Sequence, residues 1–138
     1  MGFLMLKIKK CKYGRGLFTT ESIKKGEIVE VSPVIVIPAS ERKLVEFTEV
    51  QSYLFEWTGN KQALALGLGS LFNHSVQRRN VTWDCNYRRK TITFKALKDI
   101  KKGSQLFINY GYSMRKVKAW RKIKREAAKE LLRGELYG

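Results

Sequence analysis

The chain has 138 residues and a mass of 16.0 kDa, enough for one hydrophobic core and too short for two ordinary domains. Its 43% hydrophobic and 12% aromatic residues, with two prolines, exclude a disordered, collagenous or mucin-like chain, and no apolar run approaches the ~20 residues of a membrane helix. Lysines and arginines number 28 against 12 acidic residues, a net charge of +16 with a pI near 10.1, and such a field favours nucleic acid, an anionic surface or an acidic protein.

The opening Met-Gly-Phe-Leu-Met-Leu breaks at once into Lys7, Lys9 and Lys10 with no small-residue cleavage site, so no secretory signal is expected. From Leu4 to about Ile37, short β-branched pieces separated by Gly14, Gly16 and Gly26 predict several short strands. Pro38-Ala39-Ser40-Glu41 predicts the start of a brief helix with Ser40 as its N-cap, since Leu44, Phe47 and Val50 recur near helical spacing. Tyr53, Phe55 and Trp57 alternate as on one strand face, and Thr58-Gly59-Asn60-Lys61 is a turn before the apolar stretch Ala63 to Leu68. Strands are expected again over 80–87 and 91–97, joined by a hairpin tip at Arg88-Arg89-Lys90, and over 105–108. Ser22-Ile23-Lys24-Lys25-Gly26-Glu27-Ile28 is echoed by Asp99-Ile100-Lys101-Lys102-Gly103-Ser104-Gln105-Leu106, two turns of one kind and too few copies for a repeat architecture. From Met114 onward Val117, Trp120, Ile123, Ala127 and Leu131 share one helical face among basic residues, which predicts an amphipathic C-terminal helix stopped at Gly134.

Cys11, Cys85 and one histidine, His74, assemble neither a zinc cluster nor a disulfide framework. No metal site is expected. The expected compartment is reducing: cytoplasmic, nucleoid-associated, or a host nucleus for a viral or pathogen-secreted protein. Neither a P-loop nor a dinucleotide fingerprint is present, because Gly14-Arg15-Gly16 lacks a third glycine. Two polar clusters in apolar surroundings remain, Leu71-Phe72-Asn73-His74-Ser75 and Leu106-Phe107-Ile108-Asn109-Tyr110-Gly111-Tyr112. Taken alone, the first reads as a satisfied turn with a buried histidine and the second as a tyrosine covering a core edge.

Together with Tyr13-Gly14-Arg15-Gly16-Leu17-Phe18, the order and spacing of these pieces resemble the SET-domain protein-lysine methyltransferases. That family has a Gly-x-Gly turn, a central Asn-His-Ser-Cys-x-Pro-Asn, and a Gly-Glu-Glu-Leu strand running into Asp/Asn-Tyr-Gly. The chain departs from it after Ser75, where Val76-Gln77-Arg78-Arg79-Asn80 brings the closing asparagine one residue late without the proline, and at Ser104-Gln105, which replaces the acidic pair. Zinc-binding cysteine clusters are absent from the sequence, so the chain is similar to the minimal bacterial, archaeal or viral type. The resemblance implies a mostly β chain with short helices, a fold of several small sheets with a knot-like crossing. The SET domain would occupy residues 1–112, and 113–138 would be a basic helical segment in the post-SET position without zinc.

It further implies transfer of a methyl group from S-adenosylmethionine to the ε-amine of a protein lysine. The backbone of Gly14, Arg15 and Gly16, with Asn73 and His74, would bind the cofactor, and Tyr110 would orient the reacting amine and methyl group. Tyr53, Phe55, Trp57 and Tyr112 are candidate walls of the lysine channel, with ordinary core packing the equally open reading. The basic surface suggests a substrate on a chromatin-like or ribosomal protein, with nucleic-acid contact, and no membrane. Two alternatives stay open at this level: a basic nucleic-acid-binding module, motivated by Trp83 and Tyr87 beside Arg88, Arg89 and Lys90, and a SET-like scaffold that binds without turnover.

Overall fold

The structure is a computed structural model that describes residues 6–12 and 14–111, together with 122, 123, 125, 126, 129 and 130 of the C-terminal segment. The glycine-punctuated N-terminal region forms strands β1 (Leu6–Cys11), β2 (Gly14–Thr19) and β3 (Ile28–Ile37), with β1 and β2 paired as an antiparallel hairpin. Next comes a 3-10 turn at Ala39–Glu41 leading into one turn of helix, α1 (Arg42–Val45), and a second 3-10 segment at Glu49–Tyr53. The helix is brief, as predicted, but Ser40 lies inside the first turn and no side chain caps it. Strands β4 (Leu54–Glu56) and β5 (Gln62–Ala65) follow, joined by the expected turn, in which Asn60 takes a left-handed φ of 60°.

The C-terminal half of the described chain holds β6 (Asn73–His74), β7 (Val81–Asn86), β8 (Thr91–Ala96) and β9 (Phe107–Ile108). β6 and β9 form a parallel pair, while β4, β5, β3, β8 and β7 form, in that order, one antiparallel sheet. Strand β3 is long because it serves two partners, β8 along Ile28–Pro33 and β5 along Val34–Ile37. Pro33, which has no N–H to give a ladder, stands at the changeover.

Because its neighbours engage different halves of β3, the sheet is staggered and curls until its two edges meet. Phe55 of β4 packs edge-on against Trp83 of β7 at 5.1 Å, and Trp57 meets Tyr87 at 4.8 Å. Phe72 and Phe94 stack at 4.4 Å inside the curl, where Leu17, Ile92, Leu106 and Ile108 are also sealed from water. Each such side chain contributes roughly 1.5–3 kcal/mol on burial.

The echoed turns pair with each other. Ile23 and Ile100 exchange both backbone hydrogen bonds, at 2.9 and 2.8 Å, and both side chains are buried. Tyr53, Phe55 and Trp57 do not share a strand face: Tyr53 ends the 3-10 segment, Leu54 and Phe55 are both buried, and Trp57 follows the strand. The amphipathic C-terminal helix is not established as an element, since most of it falls outside the described residues. The six described positions are helical and exposed.

Candidate active site

The loop entering the Asn-His cluster is fixed by polar side chains on β3. Glu30 Oε2 accepts the Leu68 N–H at 2.7 Å and the Ser32 hydroxyl at 3.2 Å, and Ser32 Oγ accepts the buried Gly69 N–H at 3.1 Å. A Cβ on Gly69 would lie 2.4 Å from Ser32 Oγ and 2.9 Å from Phe94, so only glycine allows this approach. Ser70 ties the same loop to β5 through the Ala65 carbonyl, at 2.9 Å. The loop delivers Phe72 into the core and places Asn73 and His74 on β6.

Segment 73–80 then wraps β9. Asn73 pairs with Phe107 and His74 with Ile108, Ser75 N–H donates to the Ile108 carbonyl at 3.0 Å, and Asn80 N–H donates to the Phe107 carbonyl at 3.1 Å. The Asn80 side chain closes the wrap by donating to the Gln105 carbonyl at 2.9 Å and accepting the Phe107 N–H at 2.8 Å. This wrap is the crossing that the resemblance implied. The late position of Asn80 does not loosen it, because Val76 to Arg79 are exposed and the extra residue is absorbed outside the crossing.

The wrap brings Tyr110 onto the Asn-His cluster. Tyr110 N–H donates to His74 Nδ1 at 2.9 Å, the two rings lie 4.8 Å apart, and the Tyr110 hydroxyl donates to the Phe72 carbonyl. An accepting Nδ1 requires the neutral imidazole with its proton on Nε2; burial lowers the His74 pKa in the same sense. Burial, with the Tyr53 phenol adding to it, pushes the Tyr110 hydroxyl up to about 12. Tyr110 therefore keeps its proton at neutral pH and can orient a partner but not act as a base.

Asn73 Nδ2 donates to the Arg15 carbonyl at 2.8 Å and approaches Cys11 Sγ at 3.6 Å, which ties β6 to the β1–β2 turn. Gly14, Arg15, Asn73, His74 and Tyr110 are thus brought into one site, with Tyr53 beside it. Gly16 acts differently from the expectation of a bare main chain facing the cofactor. It is buried, and a Cβ there would lie 2.4 Å from Gln105 Nε2 and 2.8 Å from Asn73 Nδ2, so its missing side chain makes room for those two amides. Phe55 and Trp57 are packed in the core against Trp83, Phe94 and Tyr87. Tyr112 lies outside the described residues. Sequence reasoning missed Glu30 and Ser32, and it placed Trp83 in a nucleic-acid module, whereas its Nε1 holds the Asn109 carbonyl at 2.8 Å. The glycines at 67 and 69 marked the loop, but nothing local marked its partners on β3.

Two observations test whether these residues suit a small polar cofactor. Among the described residues, His74 Nε2 is buried with no hydrogen-bond partner, a donor held ready for an acceptor, and a Cβ built on Gly14 meets nothing within 4 Å. With Arg15 exposed alongside, this is an open backbone turn next to an unspent hydrogen-bond donor, and it fits.

The SET-domain family model matches residues 14–111, which include every element of this site. The chain belongs to the SET-domain family. Its activity is that of a protein-lysine N-methyltransferase, a family whose methyl donor is S-adenosylmethionine. It is 38% identical over 99 residues to the histone-lysine N-methyltransferase, H3 lysine-37 specific, of Schizosaccharomyces pombe, covering 71% of this chain and 67% of that one. Among solved structures, it is similar to a Plasmodium falciparum protein assigned as a histone methyltransferase, with a TM-score of 0.62, 33% identity, and coverage of 79% of this chain and 99% of that one. It is also similar to ctPRC2 in complex with H3K27me3 and H3K27M, with a TM-score of 0.67, 29% identity, and coverage of 80% of this SET chain and 15% of the other.

Proposed function

We propose that this SET domain methylates a lysine of a histone-type or other chromatin-like protein, a ribosomal protein being the second substrate class, and that it binds S-adenosylmethionine through Gly14, Arg15, Asn73 and His74. The observation that carries the reading is the convergence of Tyr110 and His74 at the wrapped β6–β9 pair, beside the open Gly14 turn. The histone-lysine specificity named for the fission-yeast relative supports the substrate class. When bound, the cofactor supplies an electrophilic methyl group on a sulfonium.

The protein's task is to hold a neutral amine in line with that carbon. A free lysine has a pKa near ~10.4, and an apolar passage lowers it toward the neutral form. Tyr110 does not take the proton, because its own hydroxyl stays protonated. It contributes position, and alignment of this kind is worth effective molarities of about 10⁵ M or more. His74 holds the Tyr110 backbone through Nδ1 and offers Nε2–H to the cofactor. Asn73 fixes the Arg15 carbonyl and with it the shape of the turn.

A net charge of +16 repels a free basic tail, so the substrate is read as presented on nucleic acid, which the same surface attracts. Two free cysteines suit the proposed reducing, cytoplasmic or nucleoid-associated, location. Calorimetric titration with S-adenosylmethionine, paired with single-turnover methylation of core histones, tests the reading. Asn73→Ala should lower affinity and turnover together. Tyr110→Phe should leave affinity nearly intact and slow turnover, as expected of an interaction made in the transition state. A parent protein that binds no cofactor overturns the proposal, as does a Tyr110→Phe variant that methylates at the parental rate.

A further inference from the structure

The closed edge of the curled sheet sets two hairpin tips side by side. Trp57 leads into the 58–61 turn and Tyr87 opens the 87–90 turn, and their rings meet at 4.8 Å although β4 and β7 are opposite edge strands. These two turns carry Lys61, Arg88, Arg89 and Lys90, all exposed, and no carboxylate. The nearest acidic group on β4, Glu56, is held by Arg42 through contacts of 2.8 and 3.0 Å, and Arg42 also reaches the Asn60 carbonyl at 3.4 Å. Asp84 lies further back along β7. Among the described residues, none of the four tip cations makes an ion pair.

Tyr87 is 53% exposed and its ring is braced edge-on by the buried Trp57. Both tips are tight turns. Asn60 and Lys90 hold left-handed φ values of 60° and 54°, and Asn86 Oδ1 accepts the Arg89 N–H at 2.9 Å. The Tyr87 ring is therefore held by Trp57 where the two cation-bearing turns come together. Trp83, the other aromatic that the sequence placed here, is turned inward onto the Asn109 carbonyl, and the second tip with Lys61 stands in for it.

We infer that the paired tips are a nucleic-acid contact, with Arg88, Arg89, Lys90 and Lys61 on phosphates and Tyr87 stacked on an unpaired base or a sugar. A planar guanidinium fork matches phosphate oxygens, and an exposed aromatic among cations is the arrangement that holds single strands. An acidic peptide could meet the charges but would leave the braced ring without a partner. Trp83 touches Asn109 beside Tyr110, and Tyr87 lies four residues further along the chain, roughly 13 Å on. A strand bound at the tips would thus hold its attached protein near the site. This inference rests on the nucleic-acid contact proposed above and gives it a location.

The test is fluorescence anisotropy with a labelled single strand of about 20 nucleotides and the matching duplex, titrated at several salt concentrations. The tip variant carries Lys61→Gln, Arg88→Gln, Arg89→Gln and Lys90→Gln, and a variant with Lys24→Gln, Lys25→Gln, Lys101→Gln and Lys102→Gln removes the same charge from the echoed turns. The tip variant should lose about tenfold or more in affinity, and its salt slope should flatten by up to about 0.9 per lost duplex contact or 0.7 per single-strand contact. The echoed-turn variant should lose less, and both should methylate a short peptide of no net charge at the parental rate. Tyr87→Leu, which keeps an apolar contact on Trp57, should weaken the single strand more than the duplex. Equal losses in the two charge variants would assign binding to diffuse charge and overturn the site. A parent that binds neither nucleic acid overturns the contact itself, and tighter binding of a polyglutamate peptide of matched charge would reassign the tips to an acidic protein.

Discussion

Asn80→Ala probes the closure that holds the catalytic strand. The side chain makes two hydrogen bonds in a place only 8% exposed, to the Gln105 carbonyl at 2.9 Å and from the Phe107 N–H at 2.8 Å. Alanine removes both and strands two backbone groups, and a buried unsatisfied group costs about 1–3 kcal/mol, so the expected loss is about 2–6 kcal/mol. Against a typical domain stability of about 5–15 kcal/mol this is large. The backbone bonds from Asn80 to Phe107 and from Leu97 to Asn80 need no side chain, so the variant should still fold. At about 3–4 °C per kcal/mol for a chain of this size, the melting temperature should fall by roughly 6–24 °C. Urea denaturation followed by tryptophan fluorescence, with thermal melts alongside, measures both quantities. A loss under about 1 kcal/mol would mean that water replaces these bonds, and the reasoning that the late asparagine staples β9 would be refuted.

Gly16→Ala places a methyl group 2.4 Å from Gln105 Nε2 and 2.8 Å from Asn73 Nδ2, an overpacking expected to cost about 1–3 kcal/mol. Adding Gln105→Ala should restore part of the stability in urea without restoring cofactor affinity, because Asn73 stays displaced from the Arg15 carbonyl. His74 is neutral in the fold with its pKa lowered by burial, so the unfolded chain takes up that proton first as pH falls. The histidine's contribution to stability is full above its unfolded pKa of about 6.5 and is lost as pH drops through the lower folded value. Melting temperatures from pH 7.5 down to 5 should therefore decline less steeply in His74→Gln than in the parent, and parallel curves would remove His74 from the account. Tyr110 stays protonated up to about 12, so the alkaline limb of the methylation rate should not report a phenol of ordinary pKa. An inflection near 10 that disappears in Tyr110→Phe would contradict the burial argument.

The sequence by itself marked the longer strands β1, β2, β3, β7 and β8, because alternation, β-branched runs and turn chemistry act over a few residues, whereas the two-residue β6 read as a turn. Gly59-Asn60 makes a tight turn whatever lies beyond it, and Arg88-Arg89-Lys90 sits at a hairpin tip because apolar alternation stops on either side of it. The ordered motifs also placed Gly14, Asn73, His74 and Tyr110 in one family of sites before any geometry was known. Only the tertiary structure decided what each residue touches. His74 and Tyr110 are 36 residues apart in the chain, and Phe72 and Tyr110 are 38 apart; no local pattern encodes a hydrogen bond across that distance. The same limit explains Phe55 and Trp57, whose spacing matched a channel wall. Alternation reports that a residue is apolar, but not that a staggered sheet will curl until β4 meets β7 and bury those rings against each other. Gly16 shows it most plainly: a glycine can be read from the sequence as permission for close approach, but which groups approach is settled by the folded chain, which brings Asn73 and Gln105 to it from distant segments.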